Sequence, residues 1–103
     1  MVVKVLIKRK IKEGRARGVF ALLNKFRFDA MKQKGYISGE TLFNHDEPHE
    51  ILVISVWQSM ENWLKWKNNP ERQANERQLE NFLDGQTQYR AYVLGTYYTQ
   101  FSK

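Results

Sequence analysis

An α+β domain of β-α-β-β-α-β order is what the sequence predicts, and three observations carry that prediction. Residues 2–11 alternate, with Val3, Val5 and Ile7 on one side and Lys4, Lys8 and Lys10 on the other, the period of two expected of a half-buried strand. Val19, Leu22, Leu23, Phe26 and Ala30 then recur at helical spacing, which makes an amphipathic helix. Ile51–Trp57, ILVISVW, is β-branched and apolar on both faces, as a strand covered on both sides should be.

The remaining elements follow in order. Gly14 breaks the first strand, and the helix after it spans about 18–20 residues. Gly35 stands where a C-terminal cap is expected, just after Lys32 and Lys34, whose charge suits the negative end of a helix dipole. Tyr36–Phe43 reads as the second strand, and Asn44-His45-Asp46-Glu47-Pro48 as the turn leading out of it. After the third strand, Ser59 is an N-cap for a helix over Met60–Asn68, and Asn69-Pro70-Glu71 is a second start signal with proline in the first helical position. A broken helix is therefore predicted, its second half turning Ala74, Leu79, Phe82 and Leu83 inward and ending at Asp84-Gly85. The last strand, about Gln88–Thr99, places Ala91, Val93, Gly95 and Tyr97 on one face and Tyr92, Leu94, Thr96 and Tyr98 on the other.

This order is that of a ferredoxin-like split βαβ unit, a four-stranded antiparallel sheet with its helices on one face. If the other face met water, the third and fourth strands should each show a polar side. They do not, so an apolar cover is expected there. In a chain this short that cover is a second copy, packed sheet on sheet about a two-fold axis as a homodimer.

At 103 residues the chain is expected to be a single domain, residues 1–103. With no cysteine, disulfide frameworks, zinc-thiolate sites, iron–sulfur clusters and thiol nucleophiles are excluded. The charged start MVVKVLIKRK lacks the apolar stretch of a signal peptide. The uncharged runs Ile51–Met60 and Ala91–Ser102 fall short of the roughly 18 residues that span a bilayer. A cytoplasmic protein without membrane contact is expected.

The formal net charge is +6, and it is uneven. Residues 1–34 hold 11 of the 17 Lys+Arg but only Glu13 and Asp29 as acids. Such asymmetry can mark a nucleic-acid footprint, but Lys and Arg are mostly exposed residues. The charge is read as the solvated outside of the first strand and helix, around an interior that is aromatic and uncharged. An RNA-recognition motif shares the element order but carries base-stacking aromatics on its third strand. Glu50–Trp57 offers aliphatic residues there, so no nucleic-acid partner is expected.

Three stretches together resemble the antibiotic biosynthesis monooxygenase family: VLIKRKIKEG, KGYISGETL, and above all ILVISVWQSMENWLKWKNNPER. The resemblance implies a dimeric α/β barrel of two sheets, with a ligand pocket in each subunit between the sheet and the helices. It also implies oxidation of a small aromatic or quinone-type substrate without metal or organic cofactor. Its oxygenases use a Trp and an amide side chain against the phenolic substrate, roles that fall here on Trp66 and Asn62. The two are four residues apart, on one face of a helix. Tyr92 joins them as a ligand-binding aromatic of the sheet, while Trp57 and Trp63 are read as packing residues.

The alternative reading is a non-catalytic module of the same fold that binds a small molecule or haem. Haem-degrading relatives carry an Asn on the first strand and a His ten residues beyond the Trp. Ile7 and Glu76 stand in those places, and a carboxylate is a poor substitute for imidazole on haem iron. Glu76 is kept as a ligand-binding candidate for its position. Glu71, Glu76 and Glu80, with Arg72 and Arg77, otherwise read as ion-paired surface. His45 and His49 lie among acids, but Pro48 breaks any helix that would align them, so a polar turn and no metal site is expected.

Overall fold

The computed structural model describes residues 1–95. The elements run β1 (Val3–Lys10), α1 (Ala16–Ala30), β2 (Tyr36–Phe43), β3 (Glu50–Trp57), α2 (Met60–Lys67), α3 (Pro70–Glu80) and β4 (Gln88–Val93). The strands form one sheet in the order β2-β3-β1-β4, every pair antiparallel. This is the ferredoxin-like fold expected from the element order.

The register sorts the side chains. Val3, Val5, Ile7 and Arg9 of β1 stand opposite Trp57, Ser55, Val53 and Ile51 of β3, so these share one face by the pleat. That face meets the helices. Val3, Val5 and Ile7 form one buried cluster with Ala30, Trp57, Trp63 and Trp66. A second cluster joins Ile11 and Ile51 to Val19, Leu23 and Phe26 of α1 and to Leu79 and Leu83. Trp57 is fully buried, its indole N–H donating to Ser55 Oγ at 2.7 Å, which spares a buried donor its desolvation penalty.

The other face is apolar along β3 but mixed elsewhere, since Lys4, Lys8, Glu40, Gln88 and Arg90 also stand on it. β4 thus has a polar side, contrary to the expectation from its sequence. Leu6, Leu52, Ile54 and Val56 are only partly covered, and Leu42 and Tyr92 are exposed beside them. β4 lies on the free edge next to β1, and Thr96–Thr99 of the expected last strand lie outside the described residues.

The helices depart from the sequence reading in two places. α1 ends at Ala30 with Met31 as its cap, so Gly35 is not the helix cap. Its φ of +87° instead turns the chain into β2, a conformation glycine adopts without penalty. The broken helix is present, with Ser59 and Asn69 as caps and Pro70 opening α3. However, α3 turns Arg72, Asn75 and Leu79 inward and leaves Ala74 exposed. The inward stripe is therefore polar at two positions. Among the described residues no helix is long and apolar enough to cross a membrane.

Candidate active site

Trp63 and Trp66 stand three apart on α2, hence on one helix face, and both are buried over the sheet. The N-terminus of α2 is fixed by Ser59, whose Oγ accepts from the Asn62 backbone N–H at 3.1 Å and donates to Asn62 Oδ1 at 2.7 Å. The two indoles, with Phe26 of α1, Tyr36 of β2 and Val53 of β3, wall a cavity of about 50 Å³ between sheet and helices. At about 10–15 Å³ per water this holds about three to five waters, or the edge of one aromatic ring.

The polar lining is unexpected. Arg9 of β1 and Arg72 of α3 both border the cavity, and they are only 2% and 3% exposed. One Nη of each donates to Glu76 Oε1, at 3.4 Å for Arg72. The Tyr89 hydroxyl of β4 donates to the same oxygen at 3.2 Å and accepts from Arg72 at 3.2 Å. Burial pushes the Tyr89 phenol above its ordinary value, against the pull of the neighbouring Arg72 charge. It is therefore a neutral donor at neutral pH.

Aromatic faces support the guanidiniums. The Arg72 Cζ lies 5.3 Å from the Trp63 ring centroid, 5.6 Å from Tyr89 and 5.7 Å from Phe26, and the Arg9 Cζ lies 5.6 Å from Phe26. These are cation–π distances, favourable where water is excluded.

The interior is therefore charged, contrary to the reading of the +6 as an outer coat and of Arg72 and Glu76 as surface ion pairs. The reason is visible in the spacing. Arg9 shares its parity with Val3, Val5, Ile7 and Ile11, and Arg72 falls on the stripe that Asn75 and Leu79 continue.

The four candidates from the sequence take different places. Trp66 is in the cavity wall. Asn62, one turn earlier, is half-buried with its amide seated over Gly35, so closely that a Cβ there would lie 2.3 Å from Asn62 Cγ. Glu76 stands behind the wall, holding Arg9 and Arg72. Tyr92 pairs with Lys4 on the opposite sheet face and is 51% exposed, while the tyrosine of β4 that faces the site is Tyr89, opposite Ile7. Arg9, Arg72, Tyr89 and Trp63 are the site residues that sequence reasoning missed.

Among the described residues no group of three or more His, Cys, Asp or Glu could hold a metal ion. His45 is exposed beside Asp46, and His49 contacts the Ile11 carbonyl. Glu76 does not fit the place of a haem ligand either, because it is engaged by two guanidiniums and a phenol.

A ferredoxin-like sheet with an aromatic-lined cavity between it and its helices defines a small α+β domain. Residues 2–78 match the family model described as antibiotic biosynthesis monooxygenase. The chain belongs to that family. Similar solved structures include a conserved protein from Methanosarcina mazei Go1, with a TM-score of 0.84 at 15% identity over 89% of this chain and 91% of that one. Rv0793 from Mycobacterium tuberculosis gives 0.83 at 14% identity, covering 93% of this chain and 97% of that one. SnoaB from Streptomyces nogalater, a cofactor-independent oxygenase, gives 0.81 at 12% identity, covering 92% and 94%. At these identities the likeness is one of fold. No curated protein sequence matches the chain.

Proposed function

We propose that the chain is a monooxygenase that oxidises a small phenolic or quinone-type aromatic with dioxygen, using neither metal nor organic cofactor. The observation that supports this most directly is the cavity lined by the Trp63 and Trp66 indoles, in a chain of the antibiotic biosynthesis monooxygenase family. The cofactor-independent oxygenase SnoaB has a similar fold.

The chemistry balances without a reductant. Conversion of a phenol to a quinone removes the hydroxyl hydrogen and one ring hydrogen. One oxygen atom enters the ring and the other leaves as water. The substrate gives up four electrons and dioxygen accepts four. The work left to the protein is to hold the ring, exclude water and favour ionisation, since electron transfer to dioxygen starts from the electron-rich anion. Trp66 and Trp63 hold the ring, and Asn62 acts as a positioning residue that seats α2 on the turn at Gly35.

In the same reading the apolar part of the outer sheet face, Leu6, Leu52, Ile54 and Val56 with Leu42 and Tyr92, is covered by a second copy in a homodimer. Sheet-on-sheet packing would remove those side chains from water.

Oxygen uptake by the purified protein with naphthol, and with anthrone as a larger comparison, tests the activity. Uptake that exceeds that of a Trp66→Ala variant is expected. Equal uptake by the two proteins would overturn the assignment.

A further inference from the structure

We propose that the cavity takes its aromatic ligand as an oxyanion, with Arg9 and Arg72 supplying the countercharge. This rests on the reading of the cavity as the substrate site and names the class of molecule it selects.

Arg9 and Arg72 are buried at the cavity wall, and among the described residues the only carboxylate that meets them is Glu76; Asp29 of α1, whose Oδ2 is buried, bonds to neither guanidinium. One positive charge is left over on two side chains that are themselves buried. Tyr89, from β4, is a neutral phenol that donates to Glu76 and offsets nothing. Of the other charged residues that border the cavity, Arg27 of α1 and Glu40 of β2 are both exposed, so they are screened by solvent. Lys25 of α1 reaches Asn75, adding a further positive charge on the helix side.

The second observation is an unused donor. Among the described residues nothing accepts from the buried Nε–H of Arg9, although this residue borders the cavity. A buried guanidinium donor without an acceptor is costly, and its natural partner is an anionic oxygen. A phenolate or carboxylate oxygen in the cavity would both accept from Nε and neutralise the surplus charge. Its ring would then lie among Phe26, Trp63 and Trp66. For a phenol, such a site lowers the pKa on binding and releases the proton to solvent, leaving the electron-rich anion in place.

The test is a spectral titration of the full-length protein with para-nitrophenol, buffered at the pKa of the free dye, because only its phenolate absorbs in the visible. The bound dye is expected to shift toward the phenolate. Competition by benzoate would extend the site to carboxylates, and failure of benzoate to compete would confine it to phenolates. Arg9→Gln should weaken dye binding by about tenfold or more, as expected for loss of a charge-assisted contact. Glu76→Gln should strengthen it by about tenfold, because the carboxylate that competes for both guanidiniums is gone. Misfolding cannot produce that gain, so the second variant keeps the test sound if the first fails to fold.

A dye that binds as the neutral phenol, that does not bind, or that binds Glu76→Gln no better than the parent would overturn the proposal. The two readings fail separately. Anion-selective binding without oxygen uptake sinks the enzymatic reading alone. Oxygen uptake with no preference for the anion sinks this one alone.

Discussion

The Arg9 guanidinium of β1 donates to the carboxylate of Glu76 on α3, tying the central strand to a helix 67 residues away. Arg72 shares the same oxygen, so Glu76 holds together two buried cations. Removing one partner of a buried pair leaves an uncompensated charge, which is strongly destabilising. Glu76→Ala should lower stability by about 3 kcal/mol, read from the midpoint of urea unfolding at unchanged slope. Glu76→Gln, which keeps a hydrogen-bond acceptor, should lose less.

Tyr89 gives a pH dependence with a definite sign. Its phenol titrates above the ordinary tyrosine value of 10.0, chiefly because it is buried. The folded state therefore holds the proton more tightly than the unfolded chain does. The contribution is fully present below the unfolded value and is lost as pH rises through the folded one. Stability of the parent should fall on the alkaline side of pH 10, and the limb should be shallower in Tyr89→Phe. Identical alkaline profiles for the two proteins would show that Tyr89 is not buried as described.

Gly35→Ala should be severely destabilising for two separable reasons. The residue has φ +87°, which costs a non-glycine residue about 1–2 kcal/mol. The new Cβ would also collide with the Asn62 amide. Asn62→Ala in the Gly35→Ala background should recover the part due to collision and not the backbone part. A double-mutant cycle by thermal unfolding reads the difference, and strict additivity would rule out the contact.

The proposed homodimer predicts that a charge on the outer sheet face dissociates it. Ile54 of β3 lies on that face, opposite Leu6 of β1 and Glu40 of β2. Ile54→Lys should convert a dimer to a monomer in light scattering after gel filtration, with the helix-side core intact by circular dichroism. A parent protein that is monomeric at the same concentration would contradict the assignment.

Much of the fold was legible because apolar periodicity is a local signal. The alternation of Val3, Val5 and Ile7, the α1 stripe and the doubly apolar β3 each gave the right element, and Ser59, Asn69 and Pro70 gave the helix break. The site was less legible. Trp66 does border the cavity, but Arg9 and Arg72 were read as surface because a charged residue ordinarily avoids the interior. Their partner lies on another element or one helical turn away, and only the packing of α3 over β1 brings Glu76 to both. The parity of Arg9 with its apolar neighbours was the one available clue. Gly35 misled in a different way. Its positive φ serves the turn into β2, and a glycine near a helix end reads the same whichever of the two needs it.

The most direct test of the central claim is the fate of dioxygen. Metal-free protein incubated with naphthol under isotopically labelled dioxygen should yield a quinone carrying one labelled oxygen atom, with the other recovered in water, at a rate that falls at least tenfold in Trp66→Ala. A quinone without label, or with label incorporated equally by parent and variant, would contradict the account.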